Sequence, residues 1–232
     1  MVVEGVDELM LALQAGLKPQ MLLTAPELAA RIVSVENSEI TTVSRSVFSR
    51  ISYRENPDGW LGVFPIPDIS LDAIHLSTMP IVIVAESVEK PGNLGAILRT
   101  ADATHVDALL VCDPRVDIWN PNVIRASRGA VFTVPTMELD NPSALSWLRS
   151  NDLRVIAATP EGQADYVGVR LTMPLAIVVG TEDAGLSMFW KESADQTVRI
   201  PMKGVVNSLN VSIAAALITY EAIRQRTVSD SQ

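Results

Sequence analysis

The sequence predicts an α/β protein. A mostly parallel sheet flanked by helices is expected over residues 80–232, preceded by a small α/β domain at 1–70 and a linker at 71–79. From Ile81 onward, short runs rich in aliphatic residues alternate with stretches of helical period. Most of these runs are continuously apolar rather than alternating, as in strands covered on both faces of a parallel sheet. Before them the pattern is irregular, and "IPDISLDAIHLSTMP", with proline near both ends, divides the two parts.

In the front part, "GVDELMLALQAGL" places Val6, Leu9, Met10 and Leu13 on one helical face, and "APELAARIVS" reads as a second helix. "QMLLT" and "ITTVS" are expected to be short strands. Asn56-Pro57-Asp58-Gly59 is a turn that leads into an apolar strand around 61–64. Farther on, the expected strands are "IVIVAES", "ALLVCDP", "VFTVP", "RVIAATP", "LAIVVG" and "TVRIP", with helices over 94–104, 121–128, 142–150 and 207–226.

The last helix carries two apolar stripes. One is Leu209, Ile213, Ala216, Leu217, Tyr220 and Ile223; the other is Val211, Ala214, Ala215, Ile218 and Ala222. A helix apolar on so much of its circumference is buried on several sides. Near the end of the chain, that implies packing against both its own domain and a second subunit.

With 48% hydrophobic and 19% charged residues, the chain can bury a sizeable core. No apolar run reaches the ~18 residues of a spanning helix. The start, "MVVEGVDELMLALQ", lacks the basic and apolar regions of a signal peptide. The single cysteine, Cys112, lies in an apolar run and reads as a buried thiol, which fits the cytoplasm. His75 and His105 stand far apart, so neither a metal-ligand spacing nor a Ser-His-Asp arrangement is present. The net charge of −9 argues mildly against nucleic acid, since phosphate binding wants a positive surface. Arg45, Arg50 and Arg54, and the pair Arg125 and Arg128, are nevertheless local basic clusters and candidate RNA contacts.

Polar residues gather where the strands end, at Glu86-Ser87, Asp113-Pro114, Thr159-Pro160-Glu161, Thr181-Glu182-Asp183 and Met202-Lys203-Gly204. Ligands of open α/β sheets bind beyond such ends. Three segments go further. Asn93-Leu-Gly95-Ala-Ile-Leu-Arg99 begins an amphipathic helix with Leu94, Ile97, Leu98 and Ala101 on its apolar face and Arg99 nearly opposite. "VVGTEDAGLS" ends a strand at Gly180 and continues through Glu182 to Gly185. "RIPMKGVVNSLNVSIAAA" joins Ile200-Pro201-Met202 to Asn207-Ser208-Leu209-Asn210 at the start of the last helix.

Asn93-x-Gly95-x-x-x-Arg99, Gly180-Thr-Glu182-x-x-Gly185-Leu186, and Ile200-Pro201-Met202 with Ser208-Leu209-Asn210-Val211-Ser212 resemble the three signature motifs of the SpoU/TrmH family. These are SPOUT-class RNA ribose 2′-O-methyltransferases. The resemblance covers roughly 80–226, and "RASRGAVF" also looks like a family segment. "VEGVDELMLAL" and "ISYRENPDG" are similar to the small RNA-binding domain, akin to a ribosomal-protein fold, of ribosomal-RNA members. That domain usually has a longer basic stretch before "VEG", so the resemblance implies a front domain shortened at its N-terminus.

The resemblance implies a C-terminal trefoil knot, S-adenosylmethionine held largely by backbone groups of three loops, and a homodimer with its active site at the interface. Carried over by position, Gly180, Ile200, Leu209 and Met202 would contact the cofactor, with Thr159 and Glu161 nearby. Arg99 would act on the ribose, as proton acceptor or as a clamp on the adjacent phosphate. Asn93 would position Arg99 or the substrate, Glu182 would orient the arginine or fix its loop, and Ser208 and Asn210 would hold the loop and the substrate phosphate. The expected function is methyl transfer from S-adenosylmethionine to a ribose 2′-hydroxyl of structured RNA, most readily 23S ribosomal RNA. The alternatives are a transfer-RNA methyltransferase and a non-catalytic RNA-binding protein of the same fold. A dinucleotide-dependent enzyme would need G-x-G-x-x-G after the first long strand, and "AESVEKPGNLGA" lacks it.

Overall fold

The computed structural model describes residues 1–31, 33, 35, 39–181 and 184–229. In the front part, β1 (Val2–Glu4), α1 (Val6–Gln14), β2 (Met21–Thr24), β3 (Ile40–Thr42), α2 (Arg45–Ile51) and β4 (Trp60–Val63) follow in order. Their sheet runs β1-β4-β2-β3, with only the β2–β3 pair parallel. Then come β5 (Ile81–Glu86), α3 (Pro91–Ala103), β6 (Ala108–Cys112), α4 (Pro121–Ala126), β7 (Thr136–Leu139), α5 (Asn141–Ser150), β8 (Arg154–Ala158), β9 (Ala164–Asp165), β10 (Leu175–Val179), α6 (Met188–Ser193), β11 (Gln196–Arg199) and α7 (Val211–Ser229). These strands form a parallel seven-stranded sheet in the order β7-β6-β5-β10-β8-β11-β9.

β5, β6 and β10 are buried along their whole length, which is why their sequences are continuously apolar. Ile83, Leu109 and Ile177 face a core shared with Leu94 and Leu98 of α3 and Ile218 of α7. Val84, Leu110 and Val178 face the opposite layer, against Leu148 of α5 and Trp190 of α6. The first core continues into the front sheet through Val3, Leu9 and Trp60. Gly129, at φ 82°, sits at that junction: a Cβ there would lie 2.6 Å from Leu11 Cδ1.

From β5 the chain builds outward to β6 and β7, then crosses to place β8 and β10 on the other side. The ends of β5 and β10 therefore frame the topological switch point, where open α/β sheets hold their ligands.

Several elements differ from the sequence expectation. "VFTVP" is not a strand. Arg128 and Gly129 take left-handed conformations at the end of α4, and a 3-10 turn follows over Ala130–Phe132. Val131 and Val134 are buried as packing residues of that turn, and β7 starts at Thr136. Residues 25–31 make one turn, with Ala29 N–H donating to the Ala25 carbonyl at 3.0 Å, and then leave the helical path. There the Arg31 carbonyl accepts the Trp60 indole N–H at 2.8 Å, a tertiary bond that competes with helix; positions 32 and 34 lie outside the described residues. The last helix starts at Val211, not 207, because Asn210 caps it: its Oδ1 accepts from Ser212 N–H at 3.0 Å. The stripe Val211, Ala215, Ile218 and Ala222 is buried, while Ile213, Leu217 and Tyr220 stand exposed on the other. Among the described residues no helix is long and apolar enough to cross a membrane.

Candidate functional site

Three loops leave the carboxyl ends of β8, β10 and β11 and close around a cavity of about 480 Å³. Thr159, Glu161, Gly180, Ile200, Met202 and Leu209 all line it, as do Ser208 and Lys191.

Each loop is fixed by its own local chemistry. In the first, Thr159 N–H donates to the Val198 carbonyl at 2.9 Å, and Gly162 N–H closes a turn onto the Thr159 carbonyl at 3.0 Å. The Thr159 hydroxyl donates to Glu161, whose carboxyl it holds below the usual carboxylate range, assisted by Lys191 3.9 Å away. In the second, Gly180 lies under the returning chain. A Cβ there would be 2.3 Å from the Gly185 carbonyl oxygen and 2.7 Å from Leu186 N. Gly185, at φ +67°, turns the chain back, and its N–H donates to the Thr181 carbonyl at 3.1 Å. Glycine at 180 permits close backbone approach, and at 185 it permits the left-handed turn. The third loop, 200–210, is open and mostly exposed until Asn210 begins α7.

Asn210 Nδ2 donates to Asn93 Oδ1 at 3.0 Å, joining the start of α7 to the first turn of α3 within one chain. Arg99 lies six residues farther along α3, roughly 9 Å at 1.5 Å per residue. It does not line the loop cavity. Its exposed side chain instead lines a shallow groove with Thr100, Asp102, Arg128 and Tyr220, and it has no hydrogen-bond or ion-pair partner among the described residues. Gly95 serves packing: a Cβ would meet Ala126 Cβ of α4 at 2.4 Å. Glu182 lies outside the described residues.

The basic residues divide. Arg45 and Arg50 stand exposed on α2, and Arg125 and Arg128 near the end of α4. Arg54 departs from the expectation of an RNA contact. Its guanidinium bonds the Glu4 carbonyl at 2.8 Å and pairs with Glu8 at 2.8 Å, because the start of α1 leaves those acceptors beside the turn at 56–59.

A second cavity, of about 350 Å³, lies over β5 and β6 and touches the first along Thr181, Ala184, Gly185 and Val211. Its floor contains Glu86, Asp113 and Asn141. The sequence flagged Glu86 and Asp113 only as strand-end residues. Asn141 gave no signal, since Asp140-Asn141-Pro142 reads simply as a helix start, and Asp140 does accept from Ser143 N–H at 2.7 Å. Cys112 is fully buried beneath this floor, and burial, with the charges of Asp113 and Glu86, pushes its thiol well above its ordinary value. No group of His, Cys, Asp and Glu among the described residues could hold a metal ion.

These features define a parallel α/β protein whose ligand sites are built by strand-end loops at the switch point. Residues 80–220 match the SpoU rRNA methylase family, and residues 1–62 match the MRM3-like substrate binding domain. The chain belongs to the SpoU rRNA methylase family. A Staphylococcus haemolyticus protein named as a TrmH-family tRNA/rRNA methyltransferase is 33% identical, over 92% of this chain and 87% of its own length. A 23S rRNA (uridine(2479)-2′-O)-methyltransferase of Streptomyces viridochromogenes is 34% identical over 74% of this chain and 62% of its own. A Staphylococcus saprophyticus relative is 40% identical, and the match spans 59% of its length. Among solved structures, the SpoU methyltransferase AviRb from S. viridochromogenes in complex with AdoMet superimposes with a TM-score of 0.88 at 27% identity, covering 98% of this chain and 91% of that one. An RNA 2′-O ribose methyltransferase superimposes with a TM-score of 0.85 at 38% identity, covering 98% and 89%.

Proposed function

We propose that this chain transfers the methyl group of S-adenosylmethionine to a ribose 2′-hydroxyl of structured RNA, with 23S ribosomal RNA the substrate best supported. The observation that carries this is the convergence of Thr159 and Glu161, Gly180 and Gly185, and Ile200 and Leu209, from three strand-end loops, on one cavity in a SpoU-family chain. The 23S rRNA methyltransferase among the relatives and the match of residues 1–62 to a substrate-binding domain support the RNA class. Family relationship also supports a front domain at 1–70, a linker at 71–79, a catalytic domain at 80–232, and a knotted passage of the chain near 200–210.

The residues fit the cofactor. The cavity volume lies within the roughly 300–1,000 Å³ of small-molecule sites. Ile200, Met202 and Leu209 offer apolar surface to an adenine, and the Glu161 carboxylate offers a partner to an ammonium. At Gly180 the backbone itself forms the wall, as a ligand gripped by main-chain groups needs. The bound cofactor supplies a methyl group on a sulfonium, a leaving group that needs no proton.

The protein's own task is alignment, which is worth up to about 7–11 kcal/mol. The Asn93–Asn210 bond fixes the third loop against α3. Arg99 is an exposed cation, suited to clamp the phosphate next to the reacting ribose with two parallel hydrogen bonds. That phosphate or a water then takes the 2′-hydroxyl proton. Within one chain Arg99 lies outside the loop cavity. A homodimer formed through the exposed stripe Ile213, Leu217 and Tyr220 would set the Arg99 groove against the partner subunit's loops, since Tyr220 belongs to both stripe and groove. Arg45, Arg50, Arg125 and Arg128 extend the RNA surface outward.

The test is transfer of labelled methyl from S-adenosylmethionine to a 23S rRNA transcript, followed by ribose-methyl mapping. One protected ribose is expected. Arg99→Ala should still bind the RNA while losing transfer by about 100-fold. Incorporation into a base, or none into RNA, would overturn the proposal.

A further inference from the structure

The second cavity has a floor whose hydrogen bonds are nearly all committed. Both Asn141 donors are used: its Nδ2 donates to Glu86 Oε1 at 2.9 Å and to Asp113 Oδ2 at 2.5 Å, and its Oδ1 accepts from Trp190 Nε1 at 2.6 Å. Glu86 is 3% exposed, and its Oε2 accepts from Ser187 N–H at 2.8 Å, tying β5 to the far end of the β10 loop. Asp113 Oδ1 is left over. It has no hydrogen-bond partner among the described residues, and Asp113 is exposed and lines the cavity. Lys90 and Arg115 also line it, so the floor accepts hydrogen bonds while cations stand beside it.

We propose that this cavity seats the base of the acceptor nucleotide, turned out of its stack, and that Asp113 selects guanine and uracil over adenine and cytosine. Only the word acceptor rests on the methyl-transfer proposal; base selection by the cavity does not. A ribose that reaches into the loop cavity must leave its base one sugar's width away, and the two cavities meet along Thr181, Ala184, Gly185 and Val211. Enzymes that do chemistry on a base extrude it into such a pocket and read its Watson–Crick edge there, and a base seated here would bring its own ribose to the edge of the loop cavity. A flanking phosphate would find the exposed Arg115.

The selection follows from the leftover oxygen. The central Watson–Crick nitrogen carries a hydrogen in guanine (N1–H) and uracil (N3–H), and a carboxylate accepts it. In adenine (N1) and cytosine (N3) the same position is a bare lone pair, which a carboxylate repels. Asp113→Asn is an informative change. Asn tolerates the left-handed conformation that Asp113 adopts, at φ 47°. Its carboxamide oxygen must face the Asn141 amide, because two NH₂ groups cannot bond each other. Its own NH₂ then faces the cavity and donates, so the preference should invert toward adenine and cytosine.

The experiment is a titration of ¹⁵N-labelled protein with GMP, UMP, AMP and CMP at millimolar concentrations, read by amide shifts at Ser87, Asp113 and Gly185, with and without saturating S-adenosylmethionine. GMP and UMP should bind roughly fivefold tighter than AMP and CMP, as one hydrogen bond to an exposed charged group allows. Asp113→Asn should reverse that order and leave S-adenosylmethionine affinity unchanged. Equal binding of all four nucleotides, absent shifts at Ser87 and Asp113, or an unreversed order in Asp113→Asn would each overturn the proposal. A protein that transfers no methyl but retains the nucleotide order would refute the proposed function and leave the base seat standing. Intact transfer with no nucleotide order would remove the seat alone.

Discussion

Gly180→Ala is the most direct perturbation of the loop cavity. The added Cβ would lie 2.3 Å from the Gly185 carbonyl oxygen and 2.5 Å from its carbon, both backbone atoms. Reaching ordinary van der Waals separation at 3.4 Å requires a movement of about 1.1 Å, and no side-chain rotation supplies it. Overpacking of this kind costs about 1–3 kcal/mol, or roughly 2–12 °C in Tm for a chain of this size. The functional cost is larger, since a displacement of about 1 Å in a positioning element costs on the order of 100-fold in rate. Calorimetric titration with S-adenosylmethionine and methyl-transfer kinetics on the same preparation read both effects. Gly168→Ala is the control, because nothing lies within 4 Å of its Cβ position and its φ is not in the left-handed range. If Gly180→Ala kept cofactor affinity and transfer within about threefold of the parent, the close approach of 180 to 185 would not be what builds the site.

Three further outcomes are expected. Arg226 ties the end of α7 to the starts of β5 and β10 by donating to the Met173 carbonyl at 2.7 Å and the Pro80 carbonyl at 3.3 Å. Arg226→Met should therefore lower stability by about 2–3 kcal/mol in urea unfolding. Hydrogen bonds from Arg224, at 2.7 and 2.8 Å, and from Gln225 hold the mostly buried Glu221 carboxyl below its ordinary 4.5 against the opposing effect of burial. A depressed folded value contributes stability that is fully present above about pH 4.5 and lost as pH falls through the folded value. Glu221→Gln should flatten this acid limb in a Tm-against-pH series and leave the slope near neutrality unchanged. Arg45→Ala with Arg50→Ala should weaken RNA binding across sequences, and the salt dependence should become shallower by about one unit for each phosphate no longer bound, measured by filter binding at several salt concentrations.

The parallel sheet was legible because burial on both faces writes itself into sequence as unbroken apolar runs, as at 81–86, 108–112 and 175–179. "VFTVP" has the same composition but is buried by a 3-10 turn between α4 and β7, and composition alone does not separate the two. The strands β1 and β9 are too short to show a period. The six residues expected around the cofactor line one cavity: Thr159, Glu161, Gly180, Ile200 and Met202 sit just past parallel strands, and Leu209 is carried back to them at the start of α7. What sequence could not give was direction. Arg54 turns inward onto Glu4 and Glu8, and Arg99 faces a groove apart from the loops, since spacing along α3 fixes a helical face but not what opposes it. Asn141 was invisible because its partners, Glu86, Asp113 and Trp190, are 28 to 55 residues away.

The most direct test is a crystal structure of this protein grown with S-adenosylmethionine. Density for the donor should lie between Thr159, Gly180 and Leu209, with its methyl directed toward the neighbouring cavity over β5 and β6. Donor density anywhere else, or a filled loop cavity whose methyl points away from that neighbour, would contradict the site described here.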